Sequence, residues 1–150
     1  MRLCSVLFLL GLTGCASSPN TNSIDALKRW DAQFKQCDLI QESNTDVFPE
    51  TPWFKSLSFE DKREVLIYIY DFNNYKCGDG TLDELNQALI HDGNESLLEF
   101  FTGFKVYNTM PDESKIQHVD KLQVDLIIDK FNKPFNISDV FYEFVEPYRK

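Results

Sequence analysis

The sequence predicts an all-α fold, a compact single-domain bundle of about five to six helices held by one disulfide. Three observations predict it. Helix-capping residues recur along the chain, and the apolar residues between them return at three- and four-residue spacing. The stretches are separated by loops of about two to eight residues, with no repeat of fixed period.

Ser23 is placed to cap a first helix in which Ile24, Leu27, Trp30 and Phe34 share a face, ending near Cys37. Thr51-Pro52-Trp53-Phe54 reads as a cap followed by proline at the first helical position, opening a single turn. Ser58-Phe59-Glu60-Asp61 starts a longer helix, its acids complementing the positive end of the helix dipole. Val65 to Tyr70 is apolar on every side, so this helix is expected at the centre, ending between Asn73 and Gly80. Thr81-Leu82-Asp83-Glu84 fits a capping box for a helix carrying Leu82, Leu85 and Leu89 up to Gly93. Asn94 caps the next, with Leu97, Leu98, Phe100, Phe101 and Phe104 on a broad apolar face. Met110-Pro111-Asp112-Glu113 opens another, carrying Ile116, Val119, Leu126 and Ile127. Leu122, Val124, Leu126 and Ile128 alternate, however, and a short strand near 122–128 fits them as well. Asn132-Lys133-Pro134 breaks the chain, and Ser138 caps a last short helix to Val145, before Pro147.

Residues 1–14 have a different character. Met1-Arg2 supplies positive charge, Leu3 to Leu10 is an almost continuous apolar run, and Leu12-Thr13-Gly14-Cys15 closes it. This is the pattern of a cleaved secretory signal peptide, too short for a permanent span of about 20 residues. Its last four residues resemble the lipobox of bacterial lipoproteins, and the resemblance covers only this segment. It implies cleavage before Cys15 and acylation of the thiol and the new amino group. Ala16 and Ser17 follow, where Asp commonly marks inner-membrane retention. The resemblance therefore implies the outer membrane of a Gram-negative cell, with the protein facing the periplasm. Each buried methylene contributes about 0.8 kcal/mol, so several chains on Cys15 would anchor stably where one would not. Residues 15–23 then read as the acylated cysteine and a short polar tether, and 24–150 as the periplasmic domain.

Cysteine usage follows from that placement. Cys4 leaves with the signal peptide and Cys15 carries lipid, so Cys37 and Cys77 remain, expected at the ends of two helices. In an oxidising compartment such a pair reads as a disulfide. Without residues 1–14 the chain keeps 14 basic against 24 acidic side chains, a net charge of −10. That balance argues against nucleic acid and against adhesion to anionic lipid, and it suits a basic partner.

No constellation stands out as catalytic, and an enzyme or a cofactor is not expected. Gly78 to Leu85 resembles the middle of a calmodulin-type calcium loop. Aligning Gly80 with the loop's glycine puts Tyr75, Cys77 and Asn86 where strong oxygen ligands belong, so a glycine turn before a helix explains the same residues. His91 and His118 lack partners at ligand spacing, and no Gly-x-Ser-x-Gly elbow is present. The acid pairs Glu60 with Glu64 and Asp125 with Asp129 read as solvated helix faces. Aromatic residues are plentiful, 12 Phe, 6 Tyr and 2 Trp beyond the signal peptide. Phe100, Phe101, Phe104 and Tyr107 are the candidate partner-binding residues, an aromatic groove rimmed by acids.

Two functions are compatible with this sequence. One is a non-enzymatic accessory lipoprotein that binds a protein partner in the periplasm, similar in general plan to the small helical pilotins of secretion systems. The other is an immunity protein whose acids, Glu42, Asp46 and Glu50 or Asp79, Asp83 and Glu84, plug the basic site of a secreted toxin.

Overall fold

Asn22, not Ser23, starts the first helix: its Oδ1 accepts the backbone N–H of Asp25 at 2.9 Å, so α1 spans Ser23–Ser43. The computed structural model describes residues 22–103 and 110–149. α1 passes Cys37 because Asp38 to Glu42 contains no breaker, and it stops where the Asn44 side chain donates to the Pro134 carbonyl at 2.8 Å. Cys37 therefore lies inside α1 and not at its end, a correction to the sequence reading.

Phe48, in the loop that follows, is buried and meets Phe54 and Phe131 edge-to-face at 5.0 and 5.4 Å. α2, Pro52–Ser56, is the expected single turn, with Thr51 Oγ1 accepting the N–H of Phe54. α3, Phe59–Gly78, is capped by Ser58 and forms the centre of the molecule. Its Val65, Leu66 and Ile69 are buried with Val124, Ile127, Phe131, Phe135, Val140 and Val145. Asp79 at φ 49° and Gly80 at φ 72° then turn the chain left-handed. α4, Thr81–His91, has Gly80 at its cap position, and Thr81 sits inside the helix with its hydroxyl donating to Gly78 O at 2.7 Å. The capping box read there is thus a glycine turn closed by a threonine. α5 follows as Glu95–Gly103.

The stretch beginning at Asp112 is two elements where the sequence suggested one helix. Asp112 caps a 3-10 turn, Glu113–Ile116, and Asp120 caps α6, Lys121–Lys130, by accepting the N–H of Leu122. The strand considered near 122–128 is not formed. Val124, Ile127 and Ile128 are buried at helical spacing, whereas Leu122 and Leu126, half of the apparent alternation, lie on the solvent side. α7, Ile137–Phe144, is capped by Asn136 rather than Ser138, and a 3-10 turn over Glu146–Tyr148 ends the described chain. Among the described residues there are seven α-helices and two 3-10 turns.

The helices bury two separate apolar clusters. The larger surrounds α3; the smaller joins Ala26 of α1 to Leu85, Ala88 and Leu89 of α4, with Trp30, Leu98 and Phe101 packed against it. Cys37 and Cys77 fasten α1 to the end of α3 in a disulfide with Cα atoms 5.9 Å apart. Beside it Gln33 Nε2 donates to the Cys77 carbonyl at 2.6 Å. No helix among the described residues is long and apolar enough to cross a membrane.

Candidate functional site

The predicted aromatic groove divides into a buried part and an exposed part. Phe101 turns inward and meets Trp30 of α1 edge-to-face at 5.0 Å, with Trp30 in turn stacked on Phe34 at 5.5 Å. Phe100, its neighbour, is 52% exposed, and Leu97, one turn earlier on α5, is 37% exposed. On a helical projection the apolar arc of α5 runs Phe100, Leu97, Phe101, Leu98, and it is the Leu98–Phe101 side that packs on α1 and α4. Phe104, Tyr107 and the acylation candidate Cys15 lie outside the described residues.

α5 begins at Glu95, three residues after Asp92 and so close to where α1 starts. Asp92, which follows α4, accepts the backbone N–H of Ser23 at 2.8 Å and so holds the start of α1 beside the end of α4. That bond and His91 pull the Asp92 carboxyl down to about 2. Ile24 and Ile90, 64% and 65% exposed, flank this junction. The link spans 69 residues of sequence, and nothing in the spacing of Asp92 marked it.

The two acidic groups read as alternative binding surfaces differ in how they are engaged. Asp46 pairs with Lys133 at 2.9 Å, and Glu50 is held by Lys55 at 2.9 Å and by the Tyr148 hydroxyl at 3.0 Å. The Lys55 bond is the main reason that the Glu50 carboxyl sits below its ordinary pKa. Of the second group, Glu84 pairs with Arg29 of α1 at 3.2 Å, while Asp79 and Asp83 are exposed. Glu60 bonds Arg63, whereas Glu64 faces His118, so those two acids do not work as a pair. Asp125 is engaged by Lys121.

Three further arrangements were missed in the sequence. His118 lies 3.0 Å from Asp61 and 3.5 Å from Glu64, an exposed bridge from the turn before α6 to the first turns of α3. Lys62 is 0% exposed: its Nζ donates to the Lys55 and Leu57 carbonyls at 2.7 and 2.6 Å and lies 4.1 Å from the Tyr148 ring centre. Burial lowers the pKa of this ammonium, while the carbonyls and the ring face compensate part of its lost hydration. Lys62 thus caps the end of α2 and anchors the C-terminal turn. A signal for it existed, since Phe59, Lys62, Leu66, Ile69 and Asn73 share one face of α3. Asn73 is buried too, and its side-chain amide donates to the Phe131 and Lys133 carbonyls, tying the end of α6 to α3.

No group of three or more His, Cys, Asp or Glu side chains suited to a metal ion occurs among the described residues. Taken together, fold and surface define a disulfide-fastened, all-α domain with an apolar helix face at one end. Comparison with known proteins finds no matching family model, no matching curated protein and no matching solved structure.

Proposed function

We propose that this chain is an outer-membrane lipoprotein, anchored through acylated Cys15, whose periplasmic domain holds a protein partner as a non-enzymatic accessory factor of secretion or envelope assembly. The observation that carries the reading is the exposed Leu97–Phe100 side of α5. Single exposed apolar residues are ordinary, but here two lie one helical turn apart, continuous with the buried side of the same helix. Supporting it, the tether from Cys15 to Asn22 reaches at most about 25 Å, so this end of the domain stays close to the membrane surface. The disulfide accords with an oxidising compartment.

The immunity reading is the alternative, and one observation favours it: Asp79 and Asp83 remain exposed on the turn into α4. The Glu42, Asp46, Glu50 group serves it less well, because Asp46 and Glu50 are engaged inside the protein.

The test is affinity capture of the tagged, acylated protein from its native envelope, with mass spectrometry of the N-terminal peptide alongside. A diacylglyceryl-modified Cys15 and an envelope assembly component captured with it are expected. An unmodified chain beginning at Met1 contradicts the anchor. A single secreted hydrolase or pore-former, bound and inactivated, contradicts the accessory role and makes the protein an inhibitor.

A further inference from the structure

An open cleft of about 660 Å³ lies in the seam between α3 and α6. α3 contributes Phe72, Asn73 and Lys76 to it, and α6 contributes Asp125, Ile128 and Asp129. On each helix the three residues fall within about 100° of one another, so each set forms one wall. Asn73 and Ile128 are buried and make the floor, while Lys76 and Asp129 are exposed at the rim. Asn73 is 1% exposed and donates both amide hydrogens, to the Phe131 and Lys133 carbonyls, which leaves its Oδ1 buried without a hydrogen-bond partner. Buried side-chain oxygens are nearly always satisfied, so this acceptor calls for a donor. The rim carries a second unmet demand. Asp125 is engaged by Lys121, whereas Asp129 on one wall and Lys76 on the other form no ion pair among the described residues. Lys76 instead folds back on its own helix, with Nζ 5.7 Å from the Phe72 ring centre.

From this arrangement we infer that the α3–α6 cleft binds a small zwitterion, an amino acid or short peptide, with its ammonium group on Asp129 and Asn73 Oδ1 and its carboxylate on Lys76. The site is separate from the α5 face and stands or falls independently of it. Charge selects the ligand. A cation alone would meet Lys76, and an anion alone would meet Asp125 and Asp129; a molecule carrying both signs complements both walls. An ammonium also supplies three donors, enough for the Asp129 carboxylate and the orphaned Asn73 oxygen together. Phe72 and Ile128 offer apolar surface to the rest of the molecule. The size agrees, since ligand clefts run to about 300–1,000 Å³. Asn73 Oδ1 is shielded from solvent, so the ligand reaches it by displacing the Lys76 and Asp129 side chains, which no ion pair among the described residues holds in place.

Titration of the full chain in detergent micelles with the dipeptide alanylphenylalanine tests this, at moderate salt so that long-range attraction is screened. Two-dimensional NMR follows the Asn73 side-chain amide. Saturable shifts of that amide and of the backbone amides of 125–129 are expected. Acetylating the amino group of the dipeptide should weaken binding about tenfold, and so should Asp129→Asn, because each removes a charge-assisted hydrogen bond. Amidating its carboxyl group should weaken binding about fivefold in the wild type and make little difference in Lys76→Gln. Both substituted side chains are exposed, and unchanged melting temperatures confirm that the fold is kept. Shifts that do not saturate, equal binding of the blocked dipeptides, or binding indifferent to both substitutions overturns the inference. So do shifts that leave the Asn73 amide unmoved, which restrict Asn73 to tying α6 to α3.

Discussion

Lys62 shows how far one residue reaches in this molecule. Its ammonium closes the end of α2 and supports Tyr148, so one buried cation joins three elements. Lys62→Met keeps most of the volume and loses the hydrogen bonds, at an expected cost of about 1–3 kcal/mol. Lys62→Ala adds a cavity and should cost about 2–4 kcal/mol. Urea denaturation of both variants checks the order; equal stability of wild type and Lys62→Met would remove the capping role. Asp92 makes a pH-dependent case. Its carboxyl falls from an ordinary 3.8 to about 2, so the stability it lends is fully present above 3.8 and disappears as pH falls through 2. Asp92→Asn should therefore lower Tm at pH 7 and at pH 5, with the gap to wild type closing only near pH 2. A gap that closes already at pH 5 assigns the effect to another group. Asp71 runs the other way, because desolvation raises its carboxyl above 3.8. Its ionisation costs stability above that range and nothing below it. Asp71→Asn is expected to raise Tm at neutral pH and leave it unchanged at pH 3, measured by thermal unfolding.

At the scale of elements, α5 is the decisive case. Its adjacent phenylalanines have opposite assignments, and substitution separates them. Phe101→Ala breaks the contact with Trp30 and should destabilise by about 2–4 kcal/mol, less than a central core phenylalanine because Phe101 is only partly buried. Phe100→Ser should leave stability within about 0.5 kcal/mol. Chemical denaturation reads both, and unfolding by Phe100→Ser would make that residue core and remove the docking face. The helices were legible where a cap residue stands directly before an apolar run, as at Thr51 and Ser58. They were misread where two capping residues compete, as with Asn22 before Ser23 and Asn136 before Ser138, since either side chain can accept a first-turn N–H. Asp120 was overlooked because the apolar pattern runs on across it. The strand alternative arose from Leu122 and Leu126, exposed leucines that sequence alone scores as core.

For the whole molecule, the second cluster depends on how α1 is held. The described part of α1 buries only Ala26 and Cys37 fully, so its attachment relies on α4 and on the disulfide. Closing a loop of 40 residues should contribute about 4 kcal/mol through the denatured chain. Reduction, or Cys37→Ser/Cys77→Ser, is therefore expected to lower Tm markedly, with loss of protection in α1 first by hydrogen exchange. An unchanged Tm would deny the disulfide that role. The pairing was legible from the count of cysteines, while the position of Cys37 within α1 was not, because helix ends without a breaker leave no mark. The candidate site was legible only in part. Composition and spacing picked out Phe100 and its neighbours, but the division between half-buried Phe101 and exposed Phe100 depends on which face of α5 finds α1, a contact between residues far apart in sequence.

The most direct test of the central claim is capture from the native envelope with wild type and Leu97→Ser/Phe100→Ser side by side. The expected result is an envelope assembly protein retained by the wild type and lost by the variant, with both proteins anchored at the outer membrane and equally stable. Equal capture by the two would contradict the assignment of α5 as the docking face.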